Sequence, residues 1–142
     1  MMLAPLTRTH AITRALGNPV RLRILAMLGS GELCACQIIE VLGLAPSTVS
    51  AHLRELRLAG LIGERKQGKW VYASLREDPE AARWTALARE TVDSDPQIAA
   101  DASLVAELRQ LPVEDLCHLG REAAAAKHAV AGEKSGTTGT RP

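Results

Sequence analysis

Residues 30–60 have the sequence SGELCACQIIEVLGLAPSTVSAHLRELRLAG. Two apolar patterns with helical spacing predict helices over 33–42 and 46–59. Gly43 is expected to end the first in the left-handed conformation that glycine favours, and Pro46 suits the first turn of the second. Two short helices joined by such a tight turn are typical of a helix-turn-helix.

The helix predicted over 46–59 has two distinct faces. Val49, Leu53 and Leu56 recur at i, i+4 and i+7 and predict the face that packs on the core. Ser47 and Arg54 run along a different face, which is therefore expected to meet solvent or a partner.

After Gly60 the apolar pattern changes to the period of strands. Residues 61–66 and 70–75 flank Gln67-Gly68-Lys69, which predicts a hairpin with glycine and basic residues at its tip. A helix-turn-helix followed by such a hairpin is the winged-helix arrangement.

Further helices are predicted on both sides of this unit. We expect helices over 6–16, from Pro19 to residue 28, over 79–92, over 97–110 and over 113–128. The predicted fold is mainly α with a small β-hairpin wing, a winged helix-turn-helix with additional C-terminal helices. The expected division is a winged helix-turn-helix domain over 1–92, a helical extension over 93–131 and a disordered tail over 132–142.

Charge is distributed unevenly along the 142 residues. Residues 1–76 hold 10 Lys and Arg against 4 Asp and Glu, a net of +6, whereas residues 77–142 carry a net of −5. A basic front half suits a surface that binds a polyanion, although chance clustering on solvated helices gives the same count. No apolar run approaches the length of a membrane span and no signal peptide is evident, so we expect a cytoplasmic protein with reduced thiols.

Cys34 and Cys36 form a Cys-x-Cys pair at the start of the helix predicted over 33–42. On a regular helix two residues in this spacing lie about 200° apart, so a rigid helix cannot offer both sulfurs to one ion. Chelation would require the first turn to unwind or to be absent. Thiolates select soft, thiophilic species over Mg²⁺ or Ca²⁺.

These blocks together resemble the ArsR/SmtB family, and most of all its arsenic-responsive repressors. The resemblance rests on residues 31–36, 47–56, 59–62 and 64–75 in this order and spacing, and covers about residues 6–92. It implies a homodimeric winged-helix repressor that leaves its operator when an inducer binds, with dimer contacts through helices 6–16 and 79–92.

The resemblance also implies which residues contact operator DNA. It places the recognition helix in the major groove, with Ser47, Thr48, Ser50 and Arg54 near base edges or phosphates. His52 matches the family's Ser-x-His-Leu, and a partly buried packing residue is the alternative for it. Arg65, Lys66 and Lys69 in the hairpin suit contact with the DNA backbone or minor groove, and a solvated charge run is the alternative.

The third inducer ligand is the point at which the chain departs from the family. Many arsenic repressors carry a further cysteine where this chain has Ile39. Cys117 is the only other protein thiol, and it is either a ligand or a buried helical cysteine. A partner protomer or a small thiol such as glutathione could supply the third sulfur instead.

The cysteine count bears on which ion is sensed. Trivalent arsenic takes three sulfurs, whereas Zn²⁺ or Cd²⁺ usually takes four ligands, and three cysteines cannot form a four-thiolate site within one protomer. We therefore predict a repressor induced by As(III) or Sb(III), with no permanently bound cofactor. Sensing of thiol oxidation, or of a soft divalent metal such as cadmium or lead, is the alternative. A thiol redox enzyme is disfavoured because the spacing is not Cys-x-x-Cys and no base–nucleophile pair accompanies it.

Overall fold

A computed structural model describes residues 3–116, and nearly all of the predicted elements are present there. The mainly helical winged helix-turn-helix fold predicted from the sequence is confirmed, together with two helices that follow the wing. The elements, in chain order, are α1 (Pro5–Leu16), α2 (Pro19–Leu28), β1 (Leu33–Cys34), α3 (Ala35–Leu42), α4 (Pro46–Leu58), β2 (Ile62–Gln67), β3 (Trp70–Leu75), α5 (Pro79–Val92) and α6 (Pro96–Leu108).

The helix starts follow from local sequence chemistry. Five of the six described helices begin at a proline, whose fixed φ and missing N–H suit the first helical position. Asn18, Asp78 and Asp95 precede three of these prolines, and their side chains accept hydrogen bonds from first-turn N–H groups. Such caps stabilise a helix by about 1 kcal/mol each.

The predicted start of the third helix is wrong by two residues. Leu33 and Cys34 form a short strand, β1, which pairs antiparallel with β3 through Leu33↔Ala73 and Cys34↔Tyr72. The sheet therefore has three strands in the order β1-β3-β2 rather than two. Leu33 is buried, so its apolar character suits either a helix or a strand, and only the distant partner decides between them.

The core lies between α2, α3, α4 and the sheet. The predicted core residues of α4, Val49, Leu53 and Leu56, are all buried, as is Ile38 of α3. Gly43 ends α3 with φ 64° and its N–H bonds to the carbonyl of Ile39, as predicted. This packing fixes α4 against α3 and presents its opposite face to solvent.

An ion pair with a buried carboxylate joins helix α6 to α2. Arg23 donates from Nε to Asp101 Oδ2 at 2.8 Å and from Nη2 to Oδ1 at 2.9 Å. Gln97 Nε2 donates to the same Oδ1 at 2.9 Å. Because the Asp101 side chain is only 5% exposed, these three bonds balance the cost of burying its charge.

The C-terminal predictions are tested only in part. The helix predicted over 97–110 is present as α6, which ends two residues earlier, at Leu108. Residues 113–116 are also helical. The rest of the 113–128 helix, the proposed tail 132–142, and Cys117 lie outside the described residues. Among residues 3–116, no helix is both long and apolar enough to cross a membrane.

Candidate nucleic-acid interface and thiol site

The exposed face of α4 carries the side chains predicted to meet DNA. Ser47, Thr48, Ser50 and Arg54 are all exposed. An open groove of about 700 Å³ runs between α3, α4 and the wing, the hairpin formed by β2 and β3, and Ser50 and Arg54 line it. The fold therefore places these four side chains on one accessible surface of α4.

His52 faces inward instead. Its side chain is half-buried, and its Nδ1 lies 3.3 Å from Arg21 Nη1 on α2. Arg21 also donates from Nε to the carbonyl of Ala15 at 2.7 Å, so it joins the end of α1 to the recognition helix. Burial first, and the charge of Arg21 second, lower the pKa of His52, which favours a neutral imidazole that accepts from Arg21.

The wing carries two lysines, Lys66 and Lys69, beside the glycine turn at its tip. Gly68 has φ 61° at the first central position of a two-residue turn between Gln67 and Trp70, a conformation that favours glycine. Lys66 is exposed, and Lys69 Nζ lies 4.9 Å from the centroid of the Trp70 ring.

Arg65 lies further down the hairpin and is held by several partners. Its guanidinium donates from Nε and Nη2 to the two carboxylate oxygens of Glu32, at 2.8 and 2.6 Å, and lies 4.4 Å from the centroid of the Tyr72 ring. The hydrogen bonds from Arg65 lower the pKa of Glu32.

Cys34 lies outside the helix, at the N-cap of α3. Its backbone is extended, with φ −67° and ψ 144°, and its N–H donates to Gln37 Oε1 at 2.8 Å. The side chain is a free thiol in a residue only 1% exposed. Burial raises the pKa of the Cys34 thiol, and hydrogen bonds from the backbone N–H groups of Cys36, Gln37 and Ala35 oppose that shift.

Cys36 occupies the second position of α3 and is half-buried against the core. It is disulfide-bonded in this structure, which differs from the reduced thiols that the sequence suggests. Within residues 3–116 no three His, Cys, Asp or Glu side chains are grouped to hold an ion. The described residues thus fit a soft ion in part, with two sulfur ligands when Cys36 is reduced.

Two residues of this site, Gln37 and Glu32, were not predicted from the sequence. Gln37 follows Cys34 by three positions, the spacing of a capping box, so a signal for it was present. Glu32 was not identified, because its partner Arg65 is 33 residues away and no local pattern predicts the pair.

Comparison with known proteins identifies the fold and the family. The family model described as bacterial regulatory protein, arsR family, matches residues 18–63. The arsenic resistance transcriptional regulator ArsR1 of Pseudomonas putida is 33% identical over 104 residues, covering 71% of this chain and 80% of that protein. The chain belongs to the ArsR family.

Other members give this repressor its wider context. A cadmium resistance transcriptional regulatory protein, a CadC homolog of Staphylococcus aureus, is 37% identical over 68 residues, which are 47% of this chain and 56% of the relative. The homodimeric winged helix-turn-helix DNA-binding domain of a possible ArsR-family regulator from Mycobacterium bovis superposes with a TM-score of 0.56 at 28% identity, covering 68% of this chain and 93% of that domain. This ArsR repressor is thus a winged-helix transcriptional regulator and not an enzyme.

Proposed function

We propose that this repressor leaves its operator when trivalent arsenic or antimony binds Cys34, Cys36 and a third thiol, Cys117. The position of Cys34 is the observation that carries the proposal. Because Cys34 is extended and precedes α3, the two sulfurs are not fixed on opposite faces of one helix. Cys34 and Cys36 are therefore able to turn toward one ion at the helix start.

Ion binding at this position would disturb the start of α3. A metalloid on Cys34 Sγ replaces the hydrogen bonds that this sulfur receives from the first backbone N–H groups of α3. The Cys34–Gln37 bond closes the same turn. Since α3 packs on α4 across the short turn at Gly43, a change at the start of α3 alters the support of the recognition helix.

The DNA contacts follow from the exposed surface. Ser47, Thr48 and Ser50 bind phosphates and fix the register of α4 in the major groove, while Arg54 contacts a guanine edge. His52 holds the recognition helix against α2 through Arg21. The wing contacts the DNA backbone through Lys66 and Lys69, with Arg65 at its base.

A homodimer through α1 and α5 completes the DNA-binding unit. Leu6 is 83% exposed and Leu87 is 55% exposed, and an open groove of about 550 Å³ runs along α5 beside Trp84 and Leu87. Large exposed apolar residues on these two helices support burial against a second copy. A two-fold dimer requires an inverted-repeat operator with half-sites about one helical turn apart.

The third ligand and the cellular setting are also part of the proposal. Cys117 completes the three-sulfur set because it is the only other cysteine of the chain; a partner protomer or glutathione is the alternative source of the third sulfur. The repressor acts in the cytoplasm, where its operator is, and carries no permanently bound cofactor.

Operator release by arsenite tests this function. The reduced wild-type dimer on operator DNA should dissociate on addition of arsenite, and Cys34→Ser combined with Cys36→Ser should stay bound. Ala35→Ser is the matched control, because it adds a hydroxyl between the two cysteines and leaves both thiols in place. Normal release of the double variant would mean that the inducer site lies elsewhere.

Two other signals each have a specific observation in their favour. The disulfide bond of Cys36 favours thiol oxidation, and peroxide should then release the operator without any metalloid. The cadmium-resistance relative favours a soft divalent ion such as Cd²⁺ or Pb²⁺, and release by that ion but not by arsenite would identify it.

A further inference from the structure

We propose that Glu32 is the positioning residue through which the thiol segment, residues 31–34, controls the wing. The inference rests on the proposed function, since it concerns how occupancy of Cys34 reaches the DNA-binding surface. In the DNA-binding state the carboxylate of Glu32 holds Arg65 and thereby the wing. Inducer binding at Cys34 draws Glu32 away and releases the hairpin.

The contact itself has the geometry of a specific link. Both carboxylate oxygens of Glu32 accept from the guanidinium of Arg65, at 2.8 and 2.6 Å, and such two-point pairs fix orientation as well as distance. Arg65 Nη1 donates to Gln67 Oε1 at 2.9 Å, and its guanidinium stacks on Tyr72. An arginine with these partners transmits a displacement of Glu32 to both strands of the wing.

The sheet register connects the same residues through the backbone. Cys34 pairs with Tyr72 in β3, and Tyr72 pairs with Arg65 in β2. Cys34, Tyr72 and Arg65 therefore lie in one row across the three strands. A shift of Cys34 toward an ion must displace this row, and the Glu32–Arg65 pair adds a side-chain link beside it.

Helix α6 holds the other end of the thiol segment. Arg109, at the end of α6, donates to Ser30 Oγ at 3.0 Å and to the carbonyls of Gly31 and Glu32 at 3.3 Å each. Because α6 is itself fixed by the buried Arg23–Asp101 pair, these bonds anchor residues 30–32 against the body of the protein. Movement that starts at Cys34 is then directed toward the wing rather than into the preceding loop.

The test compares operator affinity with and without arsenite in position-32 variants. The ratio of the two dissociation constants measures the coupling between inducer and DNA. Because the Arg65 and Glu32 side chains are 51% and 33% exposed, we expect Glu32→Ala to lower that ratio about two- to fivefold, the range that exposed ion pairs support. Glu32→Gln, which keeps one acceptor, should fall between Glu32→Ala and the wild type.

Glu64→Ala is the matched control. Glu64 of the wing also pairs with an arginine, Arg57 of α4 at 2.8 Å, but among the described residues no hydrogen bond or ion pair joins its side chain to the thiol segment. Its removal should leave the ratio of the dissociation constants unchanged.

Hydrogen exchange of the wing amides provides a readout that does not depend on arsenite. Residues 62–75 should exchange faster in Glu32→Ala than in the wild type or in Glu64→Ala. An unchanged ratio together with unchanged wing exchange in Glu32→Ala would overturn the inference, while release of the wild type by arsenite would leave the proposed function standing. If arsenite fails to release the wild type, the proposed function is wrong, and the exchange rates still decide whether Glu32 holds the wing.

Discussion

The Cys34 thiol combines burial with a set of backbone donors, and this governs its reactivity. Burial raises the pKa of Cys34, so the reactive thiolate forms at higher pH than it does for an exposed cysteine. The unfolded chain loses this proton first as pH rises, so deprotonation of Cys34 also lowers the free energy of unfolding above the ordinary thiol pKa.

Alkylation of Cys34 in the reduced, folded protein should therefore depend steeply on pH. We expect its rate to keep rising through and beyond the pH at which an unfolded peptide containing Cys34 levels off. Mass spectrometry of the Cys34 peptide at a series of pH values measures this. A rate that levels off at lower pH than in the unfolded peptide would contradict the assigned effect of burial.

Single residues also mark where sequence reasoning ends. The Cys-x-Cys spacing correctly raised the conflict between helical geometry and chelation. The structure resolves this conflict because Cys34 lies in a strand. That strand depends on pairing with Tyr72, which no local pattern predicts. The pairing of Arg23 with Asp101 has no local signal either, because the two residues are 78 positions apart in the chain.

The attachment of helix α6 to the rest of the protein depends on one buried carboxylate, that of Asp101. Asp101→Ala leaves Arg23 without its partner and should lower the free energy of unfolding by about 1–3 kcal/mol, less than for a fully buried pair because Arg23 is partly exposed. Urea unfolding gives this value, and hydrogen exchange should show faster exchange over 96–108. The exposed Glu107→Ala on the same helix is the control, and equal stability of the two variants would contradict the role of Asp101.

The recognition helix and the wing should respond differently to loss of charge. Arg54→Ala should weaken operator binding by about 1–3 kcal/mol and relax specificity at one base pair. Lys66→Ala should weaken binding to all sequences alike and reduce the slope of log affinity against log salt by about one. Binding isotherms at several salt concentrations on operator and on unrelated DNA separate these outcomes, and identical behaviour of the two variants would contradict the assignment.

The elements themselves were largely predictable because their signals are local. Prolines at helix starts, Gly43 at the end of α3 and the change of period after Gly60 fixed most bounds to within two residues. Helix α5 is the exception on its packing face. Its apolar residues do not mark one buried face, because Ala81, Thr85 and Ala88 are buried while Leu87 is 55% exposed.

The exposed leucines of α1 and α5 predict that the whole molecule is a dimer. Leu87→Glu should convert the protein to a monomer in analytical ultracentrifugation and abolish operator binding, because a charge cannot be buried in an apolar interface without a partner. Leu111→Glu is the matched control, since Leu111 is also exposed, at 45% against 55% for Leu87, and lies outside α1 and α5. A dimeric Leu87→Glu would place the interface elsewhere.

The assembled fold shows which parts of the tertiary structure can be predicted from one sequence and which cannot. The order of helix-turn-helix and hairpin was sufficient for the winged-helix prediction, and the family comparison agrees with it. The docking of α6 beside the thiol segment was not foreseen, because it depends on Asp101 and Arg109 meeting residues from the first quarter of the chain. The division into domains at residue 92 stays a prediction.

An arsenite titration of the reduced repressor on operator DNA, with each cysteine replaced in turn by serine, tests directly whether the thiol site senses the metalloid. We predict that Cys34→Ser, Cys36→Ser and Cys117→Ser each raise the arsenite concentration needed for release by at least about tenfold. DNA affinity without arsenite should remain within about twofold of the wild type. Release of Cys34→Ser and Cys36→Ser at the wild-type arsenite concentration would contradict the thiol site as the origin of the response.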